Sequence, residues 1–199
     1  METITDISQL DLNKRYSYAD YLKWQLQECV ELFRGKIMRM SPAPRTSHQQ
    51  IAGNIFSPIH QYLRRKSCSV FIAPFDVRFP KEGPQSKAIY TVVQPDICIT
   101  CDPEKLDEKG FIGPSDTIME VLSPGNINRD VKEKFALYES FGVPEYWIVA
   151  PGERTVVVHL LNAQGVYELQ GEYSAPGPIP VHSLPGFELQ WEEIFENVP

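Results

Sequence analysis

The sequence predicts a mixed α/β (α+β) domain with one central sheet flanked by helices, and three observations lead there. Two stretches, Thr46–Lys66 and Asn128–Phe141, repeat apolar residues at helical spacing. Between and after them the period shortens to that of strands. The 199 residues are 42% hydrophobic and 23% charged, a globular composition long enough for one packed core. No apolar run approaches the ~20 residues of a membrane helix. Met1–Gln9 is polar and acidic, unlike a signal peptide, so a cytoplasmic protein with its four cysteines as reduced thiols is expected. The 17 prolines point to many turns and short strands.

Residues 1–16 read as an N-terminal extension and 17–199 as a single domain. Ser17 is a fitting N-cap for a helix over Ser17–Gln27, with Tyr18, Leu22 and Leu26 on one face. Val30–Phe33 and Lys36–Met40, joined by Arg34–Gly35, predict a hairpin. In Thr46–Lys66 the stripe Ile51, Ile55, Ile59, Leu63 faces the core, and Pro58 is expected to bend or break the helix. Strands are expected at Ser69–Ile72, Phe75–Phe79, Tyr90–Thr100 and Thr117–Leu122, with a loop over Asp102–Asp116. The helix Asn128–Phe141 ends at Gly142. Strands Glu145–Ala150, Thr155–Leu161 and Val166–Tyr173 follow, the last two joined by a turn at Asn162–Gly165. A short helix at Trp191–Phe195 closes a Pro-rich tail, whose segment Ala175–Pro185 could serve as an interface.

Charge is unevenly spread. The net charge of −7 argues against a dedicated, tight nucleic-acid binder. Yet residues 1–66 hold ten Lys/Arg against six Asp/Glu, which leaves room for one positive face. No phosphate-binding Gly-rich loop, Gly-x-Ser-x-Gly elbow or dinucleotide fingerprint occurs. Cys98-x-x-Cys101 sits on a strand, where a three-residue offset sends the side chains to opposite faces, so it reads as structural rather than as a zinc or redox pair.

The informative residues are acids inside apolar strands. Glu120 interrupts Ile118–Leu122, and Asp96 lies in the apolar run Val92–Ile99. A buried carboxylate must be paired, hydrogen-bonded or bound to a metal. A structural ion pair would satisfy one such acid. Two on successive strands, followed by a helix rich in Lys and Arg, point to a site. Two carboxylates from neighbouring strands suit a hard divalent cation, Mg²⁺ or Mn²⁺, and a nearby lysine completes the minimum for phosphodiester hydrolysis.

Several motifs extend this pattern: Pro95-Asp96, Glu120-Val121-Leu122-Ser123-Pro124, Asp130-x-x-x-Lys134-x-x-x-Tyr138, and Gly142-Val143-Pro144-Glu145-Tyr146-Trp147. Near the N-terminus stand Glu31-Leu32-x-x-Gly35-x-Ile37, Met40-Ser41-Pro42 and His48. Together, over roughly residues 17–195, they resemble the bacterial putative restriction endonuclease family of the PD-(D/E)XK nuclease superfamily. The resemblance implies a restriction-endonuclease-like fold with the acids at one end of a mixed sheet. It also implies metal ligation by Asp96 and Glu120 and cleavage of DNA. Leu122 departs from it, standing where the superfamily's acid-x-Lys motif has its lysine. The resemblance places the lysine on the following helix instead.

There the helical phase decides between two lysines. Lys134 falls amid the apolar face of Val131, Phe135, Leu137, Tyr138 and Phe141, and Lys132 falls toward solvent. Lys134 is therefore expected to serve the site, unless it snorkels outward or pairs with Asp130. Glu31 is by resemblance a third site acid, or else an exposed position of its strand. His48, at the start of the long helix, would reach a phosphate or cap the helix. His60, His159 and His182 read as structural or exposed, and Tyr146-Trp147 as core. The function expected is a Mg²⁺- or Mn²⁺-dependent endonuclease acting on duplex DNA, as a homodimer because cutting both strands takes two sites. The alternative is a non-catalytic nucleic-acid-binding or protein-interaction module that retains the fold.

Overall fold

The computed structural model describes residues 3–40, 45–80, 89–123 and 127–199, and of 127–130 the backbone alone. In chain order the elements are α1 (Tyr18–Tyr21), β1 (Val30–Phe33), β2 (Lys36–Arg39), α2 (Thr46–Leu63), β3 (Ser69–Ile72), β4 (Val77–Pro80), β5 (Ile89–Val93) and β6 (Ile97–Thr100). Then come β7 (Leu106–Asp107), β8 (Gly110–Ile112), β9 (Thr117–Val121), α3 (Ile127–Phe141), β10 (Glu145–Ala150), β11 (Thr155–Leu161), β12 (Tyr167–Tyr173), β13 (Pro178–Pro180), β14 (Glu188–Gln190) and α4 (Trp191–Ile194). The result is an α+β fold with mixed sheets flanked by helices. It divides into two compact units: Met1–Pro42 with Phe75–Gln94 and Lys105–Gly113, and Ala43–Pro74 with Pro95–Glu104 and Pro114–Pro199.

The first unit holds a sheet ordered β2-β1-β5-β4-β8-β7. Arg34 and Gly35, both at positive φ (51° and 87°), make the tight hairpin turn the sequence predicts. Ser17 caps α1 in a reciprocal capping box with Asp20. That helix stops at Tyr21, short of Gln27, because Gln25 N–H turns to pair with the Ile4 carbonyl. Ile7, Leu10, Tyr16, Tyr18, Val30, Leu32 and Val92 form the core here, so the N-terminal residues are packed in.

The second unit is layered. Its sheet runs β12-β11-β10-β9-β6-β3, with β9 and β10 parallel and their crossover made by α3. Alternate strand residues (Ile97 and Ile99, Met119 and Val121, Trp147 and Val149, Val156 and Val158) share one core with α2's Ile51, Ile55, Ile59 and Leu63. Of the two outcomes expected at Pro58, a bend or a break, the break does not occur: α2 runs on from Thr46 to Leu63. The proline's cost of about 3 kcal/mol is outweighed by four buried aliphatic side chains at about 1.5–3 kcal/mol each. On the sheet's other face, Phe135 and Tyr138 of α3 meet Tyr146, His159 and Tyr167 edge-on.

Two further expectations are corrected. The predicted strand Tyr90–Thr100 is two strands: β5 joins the first unit's sheet and β6 the second's, parted at Gln94-Pro95-Asp96 where proline has no N–H for a ladder. In the Pro-rich tail Ile179, Val181 and Leu184 are buried in the second unit's core, while Ala175, Pro176, Pro178 and Pro185 are exposed. The cysteines are not all thiols: Cys68 and Cys101 form a disulfide, while Cys29 and Cys98 are free. Cys98 and Cys101 do not act as a pair. Burial pushes the Cys98 thiol up to about 12.

Candidate active site

The register of the second sheet brings the two acids together. In the antiparallel pair β6–β9, Ile97 stands opposite Met119, so one step further Asp96 meets Glu120 at the carboxyl end of β9. Asp96 lies just outside β6, where its main-chain carbonyl accepts the Ala73 N–H (3.0 Å). Its Oδ2 accepts the Val121 N–H (2.8 Å) and lies 3.1 Å from His48 Nε2. Oδ1 has no hydrogen-bond partner among the described residues.

Glu120 faces the α3 side of the sheet. Its Oε1 accepts from Lys134 Nζ (2.8 Å) and from the Tyr138 hydroxyl (2.6 Å). The phase of α3 is the cause: Lys134 and Tyr138 are four residues apart and lie one above the other on the buried face. Lys132 is exposed, as its phase predicts. Lys134 thus points to a carboxylate rather than to solvent. Asp130, its other suggested partner, has no described side chain, and Ser41, Pro42 and Pro124 of the motifs also lie outside the described residues.

All four side chains are nearly enclosed, with 11% of His48, 16% of Asp96, 10% of Glu120 and 15% of Lys134 exposed. At such burial an unpaired charge is costly, and the arrangement pairs each charge with its opposite. Burial alone would lower the His48 pKa, but the Asp96 hydrogen bond and the negative charges of Asp96 and Glu120 outweigh it and raise it. His48 Nδ1 is buried and has no partner among the described residues. His48 sits in the first turn of α2, so the long helix carries the imidazole to the sheet end.

Glu31 belongs to the first unit, where it is buried and its Oε1 accepts the Gln94 N–H (2.9 Å), so it is not an exposed strand position. Sequence reasoning took Tyr138 only as part of a motif and of the apolar face, although its spacing of four from Lys134 signals a shared target. Among the described residues no group of three or more His, Cys, Asp or Glu is arranged to hold a metal ion. The Asp96–Glu120 pair nonetheless offers oxygen ligands, of which Asp96 Oδ1 has no partner among the described residues, and this fits a hard divalent cation that keeps several waters.

Both acids thus stand at one end of a mixed sheet that packs between helices. The model of the Uma2 family, described as putative restriction endonuclease, matches residues 18–192, and the chain belongs to that family. The same fold occurs in a crystal structure described as a putative nuclease of DUF820 from Anabaena variabilis. That structure is 21% identical, with a TM-score of 0.70 over 90% of this chain and 97% of the other. No curated protein matches the chain. Among the described residues no helix is long and apolar enough to cross a membrane.

Proposed function

We propose that this protein is a Mg²⁺- or Mn²⁺-dependent endonuclease that hydrolyses phosphodiester bonds of duplex DNA in the cytoplasm. Residues 17–199 are its working domain and 1–16 an extension to it. Asp96 and Glu120 would hold the cation. The observation that carries this reading is their juxtaposition on adjacent strands, with Lys134 of the next helix 2.8 Å from Glu120.

The cation, when bound, supplies an acidified water and neutralises charge on the phosphate. The chain supplies the rest. Lys134 orients the attacking water and steadies the oxygens that gain charge. Tyr138 and Lys134 together fix the Glu120 carboxylate, and the Val121 N–H and His48 fix that of Asp96. His48, whose imidazole is held on Asp96, is proposed as the residue that meets a phosphate oxygen when substrate enters. Glu31 is proposed as a third acid of the site, on the family resemblance alone. Two copies acting as a homodimer would cut both strands.

The test is direct. Supercoiled plasmid should be nicked and linearised with Mg²⁺ or Mn²⁺ and left intact with chelator. Asp96→Asn and Glu120→Gln should each abolish cutting while circular dichroism stays native, and Glu31→Gln should reduce it. Cutting that survives both of the first two changes would overturn the proposal. Light scattering at micromolar concentration should give a dimer mass, and a monomer mass would remove the two-copy element. The non-catalytic reading draws on Leu122, half-buried in the lysine position, and on Lys134 already engaging Glu120. No metal uptake by calorimetry, with no cleavage of any nucleic acid, would favour it.

A further inference from the structure

Residues 32–75 contain no Asp or Glu, although the whole chain is acidic by seven charges. Within the second unit this stretch is α2 and its flanks. Of the exposed residues of the helix, Thr46, Gln49, Gly53, Ser57 and His60 recur every three or four positions and so form one line on its surface, with Gln61 beside its end. That line starts beside His48, which touches Asp96, and runs out into three exposed consecutive cations, Arg64, Arg65 and Lys66. Neither arginine has an ion-pair partner among the described residues. Lys66 Nζ lies over the Tyr62 ring, 3.1 Å from its centroid. Acidic residues lie on two flanks: α4 and the residues after it pack on α2, where Asn54 donates to the carbonyls of Ile194 and Glu196, and Asp116 accepts the Cys101 N–H beside the bridge to Cys68.

The three cations sit on a braced turn. Leu63 is buried on one side, and Cys68 is bonded to Cys101 on the other. Arg65 has φ +68°, at the position after the helix C-cap where glycine is the usual residue. An arginine there is held in a left-handed conformation that disfavours side chains. Two routes measure the distance to the candidate site. Helix from His48 to Arg64 covers ~24 Å, and strand from Asp96 to Cys101 covers ~17 Å.

We propose that this face of α2 is the track for a nucleic-acid duplex backbone, with Arg64, Arg65 and Lys66 gripping phosphates roughly 20 Å from the Asp96–Glu120 pair, about six base-pair steps along the duplex. The register to a cleaved phosphate rests on the nuclease reading. The grip itself does not. An uncharged line ending in cations suits a polyanion, because none of its own residues carries negative charge and the cations release condensed counterions.

The test is fluorescence anisotropy of a labelled 30-base-pair duplex with the full chain, in chelator, across a salt series. Arg64→Ala/Arg65→Ala/Lys66→Ala should weaken binding about tenfold or more at low salt and cut the slope of log Kd against log salt by about 2–3. Arg65→Gly should weaken duplex binding while raising the unfolding midpoint, a combination that a merely structural arginine would not produce. Unchanged duplex affinity in the triple variant overturns the proposal, as does a loss confined to polyglutamate, which would mark an acidic-protein surface. Weakened binding in a protein that never cuts DNA would leave this surface standing and remove the nuclease reading. Cutting abolished by Asp96→Asn, with binding indifferent to the triple variant, would do the reverse.

Discussion

Two buried glutamates of the second unit show how the same side chain serves opposite ends. Glu145 is buried and accepts four hydrogen bonds, from Thr117 Oγ1, Trp147 Nε1 and the N–H groups of His182 and Ser183. It pins the C-terminal segment to β10, and its oxygens are taken by fixed neutral donors. Glu120 instead takes a lysine and a tyrosine on one oxygen, both from α3. We expect Glu145→Ala to lower the unfolding free energy by about 3 kcal/mol or more, since four buried donors lose their acceptor. Metal uptake by the folded fraction should be unchanged. Tyr138→Phe should cost only about 1–2 kcal/mol of stability but slow single-turnover cleavage roughly tenfold, as for loss of an outer-shell hydrogen bond. Equal stability losses in urea titrations of the two variants would contradict this division.

Elements were legible where one periodicity ran long enough, and illegible where a neighbour decided. The stripe of α2 survives Pro58 because burial exceeds the local penalty, a comparison that spacing alone does not make. The strands β7 and β8 fall inside a segment read as loop. They are two and three residues long, and β8 exists because it pairs in parallel with β4. The same segment brings Asp107 to the buried Arg78 of β4, with Nη2 2.6 Å from Oδ1. Burial would raise the Asp107 carboxyl, but the Arg78 hydrogen bond and charge and the Lys109 N–H outweigh it and hold it below the usual carboxylate range. A carboxyl with a folded pKa below its unfolded value of about 3.9 stabilises above that value and loses the contribution as pH falls through the folded pKa. Asp107 is 45% exposed, so water screens the pair, and Asp107→Asn should be less stable than the wild type by only about 0.5–1 kcal/mol at pH 7, the gap narrowing below pH ~4. Urea titrations at pH 7, 5 and 3 would show it. A gap constant with pH would mean that the charge contributes nothing.

For the molecule as a whole, the candidate site was more legible than the covalent framework. Asp96, Glu120 and Lys134 each violate the apolar pattern around them, so one dimension suffices to mark them, and the β6–β9 register then brings the acids together. Cys68 and Cys101 violate nothing. They lie 33 residues apart, and they meet because Ser69 pairs with Thr100 at adjoining ends of β3 and β6, which makes the cysteines the next cross-strand pair. A bond closing a loop of that length stabilises by about 3–4 kcal/mol on the chain-entropy account, a large part of the ~5–15 kcal/mol typical of a folded protein. Reductant should therefore lower the urea midpoint of the wild type substantially. Cys68→Ser/Cys101→Ser should start from the lowered midpoint and not respond to reductant. Thiol counting on denatured, unreduced protein should give two thiols in the wild type and two in the double variant. Four thiols in the freshly purified wild type, with a midpoint indifferent to reductant, would show that the bridge is not formed and return all four cysteines to the reduced state expected from the sequence.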